Sequence, residues 1–121
     1  MGRHNREAIE LAREQVAALL RCHTGEIIFT SGGSESNNMA LKGIASRRAS
    51  RGQHIVVSAI EHPAITQVVN YLQHQGFRIS YLPVNEQGVV SPDDLREIIT
   101  SKTILVSVMH ANNETGSIQP I

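Results

Sequence analysis

The sequence is poor in cysteine and in aromatic residues, and it carries no net charge. Its single cysteine, Cys22, excludes an internal disulfide framework. Aromatic residues make up 3% of the 121, which argues against the stacking platforms that bind single-stranded nucleic acid. Eleven acidic side chains balance eleven basic ones, so no overall field attracts nucleic acid or an anionic membrane. We therefore expect neither as a partner.

Long apolar runs are also missing. The longest stretches, such as residues 104–109, fall far short of the roughly 20 residues that a membrane-spanning helix needs. No charged segment followed by an apolar one opens the chain in the manner of a secretion signal. These absences predict a soluble protein of the cytoplasm.

Helical and strand patterns alternate along the chain. Apolar residues recur at helical spacing near the start, while short β-branched runs bounded by Gly and polar residues indicate strands. Helices are predicted at residues 6–21, 34–48, 63–74 and 91–100, and strands at residues 26–30, 54–58, 77–81 and 103–109. The alternation predicts an α/β fold with a mainly parallel sheet and helices on both faces. The apolar run at residues 103–109 is typical of a central strand covered on both sides.

Three helix ends have local signals. Pro63 suits the first position of its helix, and Gly76 suits the left-handed position that follows the helix end. Ser91, directly before Pro92, is placed to cap the last helix. These residues predict where the two later helices begin and where one of them ends.

Polar segments follow three of the predicted strands, at the sheet edge where ligands of parallel α/β folds collect. After Thr30, the turn of residues 31–34 leads into a helix whose free amides and positive dipole end suit a phosphate. After Ser58 comes His62, and after Met109 come several hydrogen-bonding side chains. Each segment alone also fits an ordinary structure: a serine-capped turn, a polar loop histidine and an Asx turn.

No metal site is expected. The six histidines are scattered, and Cys22 and His23 are adjacent rather than at the spacing of metal ligands.

Together the three segments resemble a known family. Residues 29–38 (FTSGGSESNN), 61–62 (EH) and 109–116 (MHANNETG) are similar to three consecutive signatures of the cysteine desulfurases, which depend on pyridoxal 5′-phosphate (PLP). The resemblance covers the whole chain in unbroken order. It implies a partial fold type I (class V aminotransferase) large domain, with residues 1–121 as one segment of the incomplete PLP-binding domain.

The resemblance also implies roles for individual residues. Gly33 and Ser34 would bind the PLP phosphate, although the family usually has threonine at the position of Ser34. His62 would stack on the pyridine ring and act catalytically by moving protons. Asn113 would bind the phenolic oxygen of the cofactor; the family, and not the spacing, selects Asn113 over Asn112.

Several parts of the family's machinery have no counterpart in this sequence. Lys42 and Lys102 are its two lysines, and neither matches the lysine that holds the cofactor, so both are interpreted as surface charges. Cys22 lies far upstream of the family's sulfur-accepting cysteine and is interpreted as a packing thiol. In the family, that cysteine, the lysine and the pyridine-binding aspartate lie beyond the position of Ile121. We therefore expect the isolated chain to be inactive.

For a complete enzyme the resemblance implies that L-cysteine is converted to L-alanine and that its sulfur passes to an enzyme persulfide. That sulfur would serve iron–sulfur cluster assembly and other transfer pathways. A homodimer and sulfur-acceptor or scaffold proteins are the implied partners. Three alternatives remain: a selenocysteine lyase, a noncatalytic truncated remnant, and a stand-alone module that binds phosphate at residues 32–34.

Overall fold

The computed structural model describes residues 2–121, which divide into two compact units between Ser31 and Gly32. The first unit contains helix α1 (Arg3–Leu20) and a 3₁₀ helix (Thr24–Glu26). Helix α1 ends at Leu20, and the cap residue Arg21 takes the left-handed conformation with φ 53° and ψ 45°. The predicted first helix is confirmed and begins three residues earlier than expected.

Residues 26–30 do not form the predicted buried strand, and this prediction was wrong. The 3₁₀ helix ends at Glu26, whose carboxylate accepts a hydrogen bond from the His23 N–H at 2.7 Å. The residues that follow belong to no strand, and Ile28 and Phe29 are 64% and 48% exposed. Their β-branched and aromatic side chains favour an extended backbone, but this preference depends on the tertiary context and does not by itself produce a strand.

The second unit is built on a three-stranded parallel sheet with strand order β2-β1-β3. In chain order its elements are α2 (Gly33–Arg48), β1 (His54–Ser58), α3 (Pro63–His74), β2 (Arg78–Leu82), α4 (Pro92–Ile98) and β3 (Thr103–Ser107). The chain steps from β1 to β2 through α3, and then crosses back over β1 through α4. Because such crossovers are right-handed, the reversal places α3 and α4 on opposite faces. The α/β prediction is confirmed.

Strand β1, and not β3, is the central strand. All five residues of β1 are buried, whereas β3 lies at an edge, is mostly half-buried, and leaves Val106 37% exposed. The expectation that residues 103–109 form a central strand was wrong for this chain. An apolar composition shows that a strand can be buried, but the strand order is set by crossovers that local sequence does not specify.

The core lies between the sheet and helices α2 and α3. It is formed by nine buried side chains: Leu41, Ala45, Ile55, Val57, Ile65, Val68, Val69, Leu72 and Phe77.

The caps predicted for the later helices are confirmed. Ser91 Oγ accepts from the Asp93 N–H at 3.2 Å, and Gly76 has φ 94° directly after the end of α3. These features define the end of α3 and the start of α4.

Candidate functional site

Two polar loops meet at the carboxyl edge of the sheet. One follows β1 and the other follows β3, and because these strands are parallel neighbours their loops emerge side by side. Residues 59–63 and 112–115 together line a cavity of about 300 Å³. The cavity therefore contains both His62 and Asn113, which the sequence separates widely.

Glu61 connects the two loops. Its Oε1 accepts a hydrogen bond from Ser58 Oγ at 3.0 Å and another from the Met109 N–H at 2.7 Å. The first donor ends β1, and the second follows β3. A half-buried carboxylate with two such donors holds the loops at a fixed separation. The sequence patterns predict no role for Glu61, although its position three residues after Ser58 is compatible with this hydrogen bond.

The side chain of Asn112 is used by the fold. Its Nδ2 donates to the Ile60 carbonyl at 3.0 Å, which is a second connection between the loops. Its Oδ1 accepts from the Glu114 and Thr115 N–H groups at 2.9 and 2.8 Å. The Asx-turn interpretation of this loop is therefore confirmed, and Asn112 carries it.

Asn113 is placed differently. It is exposed, and its side-chain amide makes no hydrogen bond to any residue between positions 2 and 121. Of the two adjacent asparagines, only Asn113 can offer its amide to a ligand without breaking the loop. The two asparagines therefore differ in whether the fold uses their side chains.

His62 is the N-cap residue of α3. Its Nδ1 accepts a hydrogen bond from the Ala64 N–H at 3.0 Å, and the ring is exposed at the cavity. A nitrogen that accepts from an amide N–H carries no proton, so the neutral ring is protonated at Nε2. The cap thus fixes the tautomer and leaves Nε2 to act on a ligand.

Gly33 and Ser34 form the first turn of α2. Near its C-terminal end, Ile44 and Arg48 share a cavity with Thr103 at the start of β3, so α2 runs antiparallel to the strands. At about 24 Å the helix is longer than a five-residue strand, and its first turn therefore lies at the carboxyl edge. Gly33 and Ser34 are exposed there, outside the cavity of His62 and Asn113.

The two lysines lie away from this cavity. The Lys42 ammonium group is 4.6 Å from the centre of the Tyr71 ring, and Lys102 precedes β3 at the opposite edge of the sheet. Cys22 is a half-buried free thiol of the first unit.

Within residues 2–121, no group of three or more His, Cys, Asp or Glu side chains is arranged to hold a metal ion. The described helices include none that is long and apolar enough to cross a membrane.

A parallel sheet with polar loops and a helix N-terminus at its carboxyl edge defines the class of α/β folds that bind small ligands at that edge. Comparison with known proteins gives the family. A family model described as aminotransferase class-V matches residues 1–121. The chain belongs to this family. It is 52% identical over 120 residues to cysteine desulfurase IscS of Dictyoglomus turgidum, covering 99% of this chain.

Solved structures agree with this assignment. A NifS-like protein superposes with a TM-score of 0.90 at 40% identity over 99% of this chain, which is 34% of that protein. A structure described as SspA in complex with cysteine gives a TM-score of 0.87 at 39% identity, covering 94% of this chain and 33% of that one. The chain spans about 30% of the length of the curated relatives that it matches.

Proposed function

We propose that this chain supplies part of the PLP site of a cysteine desulfurase, an enzyme that takes sulfur from L-cysteine and releases L-alanine. The observation that carries the proposal is the single cavity that contains both His62 and Asn113. The sequence identity to cysteine desulfurases supports it. A relative described in complex with cysteine supports the choice of substrate.

The residues at the carboxyl edge fit the chemical groups of PLP. The first turn of α2, at Gly33 and Ser34, offers a helix N-terminus and a hydroxyl to a phosphate. His62 offers a flat ring, and Asn113 offers an amide that no residue of the described chain uses. The cavity of about 300 Å³ lies at the lower end of the range of small-molecule pockets.

When bound, PLP supplies an electron sink for negative charge that develops on the substrate. In this proposal Gly33 and Ser34 hold its phosphate, and Asn113 Nδ2 donates to its phenolic oxygen. In this proposal the lysine that holds the cofactor is neither Lys42 nor Lys102, because neither lines the cavity. The chain alone is therefore expected to bind the cofactor noncovalently and to release no alanine from cysteine.

The proposed catalytic role of His62 is confined to one atom. Because the Ala64 N–H occupies Nδ1, a proton reaches or leaves the ring at Nε2 while the helix cap remains intact. Nε2 is thus placed to hold a proton at the cavity. Imidazole is suited to this task because it exchanges protons near neutral pH.

The remaining parts of the proposal concern the complete enzyme. They are a homodimer in the cytoplasm, and sulfur transfer through a persulfide to acceptor or scaffold proteins that serve iron–sulfur cluster assembly. Selenocysteine as the preferred substrate is the alternative, and comparing the two substrates on the complete enzyme distinguishes them.

The test is binding of pyridoxine 5′-phosphate, which has the ring and phosphate of PLP but no aldehyde to react with Lys42 or Lys102. Equilibrium dialysis should show that Asn113→Ala and His62→Ala each weaken binding by about five- to tenfold, the loss expected for one good ligand contact. Asn70→Ala is the matched control, because Asn70 is exposed on α3 outside the cavity. Equal affinity for Asn113→Ala and the unsubstituted chain would contradict the proposed site.

A further inference from the structure

The amino edge of the sheet, opposite the proposed PLP site, contains a cavity of about 630 Å³. Three cationic side chains from three separate segments line it. Arg51 precedes β1, Arg78 begins β2, and Lys102 precedes β3. Parallel strands that start at the same edge bring these segments together, although the sequence separates them widely.

The backbone around this amino-edge cavity is fixed. The Arg78 N–H donates to the Gln53 carbonyl at 2.7 Å, and the His54 N–H donates to the Lys102 carbonyl at 3.1 Å. Gly52 is buried so closely that a Cβ atom on it would lie 2.2 Å from the Lys102 carbonyl oxygen. The three cations are therefore attached to a preformed frame rather than to independent loops.

None of the described residues that line the cavity carries a carboxylate. Arg13–Glu10 and Arg96–Asp93 form ion pairs, and neither pair involves a cation of the cavity. Glu61 and Glu114 line the cavity at the carboxyl edge instead. A chain with no net charge thus concentrates positive charge at one edge of its sheet.

The floor of the cavity is polar but uncharged. His54 is 1% exposed, and its ring nitrogens lie 2.7 Å from Thr103 Oγ1 and 2.9 Å from Ser80 Oγ. Burial, and secondarily the charge of Arg78, lower the pKa of His54. Ser50, Gln53 and Thr100 add hydroxyl and amide groups to the lining. The positive charge of the cavity therefore comes from the three cations.

We propose that the amino-edge cavity binds a small phosphorylated molecule, with phosphate oxygens held by Arg51, Arg78 and Lys102. Its volume falls within the range of small-molecule pockets, and guanidinium groups match phosphate geometry with paired donors. No aromatic side chain lines the cavity, which disfavours a nucleic-acid strand that needs stacking. This site is independent of the proposed PLP site, because the two lie at opposite edges of the sheet.

The experiment is calorimetric titration of the purified chain with pyrophosphate at low salt. Arg51→Gln and Lys102→Gln should each weaken binding by about tenfold, as expected for the loss of one charge-assisted contact. The charge-conserving changes Arg51→Lys and Lys102→Arg should retain binding to within about threefold. Arg96→Gln is the matched control, since Arg96 is a cation outside the cavity. Circular dichroism confirms that each variant is folded.

Ser34→Ala separates this site from the phosphate position at α2. Pyrophosphate affinity that persists in Ser34→Ala and falls in Lys102→Gln supports the amino-edge site, whatever the result with pyridoxine 5′-phosphate. The reverse pattern, or no binding at millimolar pyrophosphate, overturns it. Binding of a short RNA that depends on Arg51 and Lys102, without binding of pyrophosphate, also overturns it in favour of a nucleic-acid surface.

Discussion

Two neighbouring asparagines have different tasks in this chain. Asn112 closes its own loop and reaches the Ile60 carbonyl in the loop after β1, so its amide is committed on both sides. The side-chain amide of Asn113 makes no hydrogen bond within residues 2–121, and we propose that it binds a ligand. Glu61 makes the second connection between the loops, and its two donors come from either side of the cavity. Asn112 and Glu61 therefore hold the two loops in place around the proposed ligand site, and neither needs to contact a ligand itself.

Replacing Glu61 with alanine should destabilise the fold and loosen the site. The half-buried Met109 N–H loses its acceptor, so the free energy of unfolding in urea should fall by about 1–3 kcal/mol. Affinity for pyridoxine 5′-phosphate should fall as well. Glu114→Ala is the control in the same cavity, and as an exposed change it should stay within about 0.5 kcal/mol. A Glu61→Ala variant as stable as the unsubstituted chain would show that the connection between the loops is not needed.

At the scale of elements, the first turns of helices α2 and α3 both lie at the carboxyl edge, where strands β1 and β3 end and their loops begin. Helix α3 does so because His62 caps it immediately after the β1 loop. Helix α2 does so because its far end lies beside the start of β3. The five residues between α2 and β1 then reverse the chain direction at the amino edge, and the buried Gly52 lets this connection pass close to the backbone of Lys102.

A pair of glycine substitutions tests this account of the elements. Gly52→Ala should lower the free energy of unfolding by about 1–3 kcal/mol, because its Cβ would meet the backbone of Lys102. Gly43→Ala, at a site in α2 with no atom within 4 Å of the added Cβ, should raise it by about 0.5–1 kcal/mol. Urea unfolding followed by circular dichroism measures both. Equal effects of the two substitutions would refute the close approach at Gly52.

At the scale of the whole molecule, the second unit keeps its two proposed ligand sites apart by using opposite edges of one small sheet. The polar loops lie at the carboxyl edge and the unpaired cations at the amino edge. Between the core strands, His54 of β1 reaches Ser80 of β2 and Thr103 of β3 through its two ring nitrogens. This buried histidine connects all three strands, so its ionisation concerns the stability of the unit as a whole.

The stability of the protein should therefore fall in mildly acidic solution. Because burial lowers the pKa of folded His54 below its ordinary value of 6.5, the unfolded chain takes up a proton more readily. The contribution of His54 is then fully present above about pH 6.5 and is lost as the pH falls through the folded-state pKa. Urea unfolding at neutral and mildly acidic pH measures this loss. His54→Gln should reduce it, and His74→Gln, which keeps His54, should not; an unchanged loss in His54→Gln would contradict the assignment.

The sequence by itself determined the elements and the candidates for the site. The cap at Ser91, the proline at position 63 and the left-handed glycine at position 76 act over a few residues, so their effects could be predicted locally. Alternation of strands and helices was enough to predict a parallel α/β sheet. Resemblance to a family supplied the list of Gly33, Ser34, His62 and Asn113, whose roles as ligands remain predictions.

Only the tertiary structure decided the features that depend on distant partners. It showed that residues 26–30 form no strand, and that β1 occupies the centre of the sheet. Two hydrogen bonds between the loops depend on such distant partners. Glu61 accepts from the Met109 N–H, 48 positions away, and Asn112 donates to the Ile60 carbonyl, 52 positions away. The cations of the amino-edge cavity converge for the same reason. Such contacts follow from strand order, which is set by crossovers and core packing rather than by local propensity.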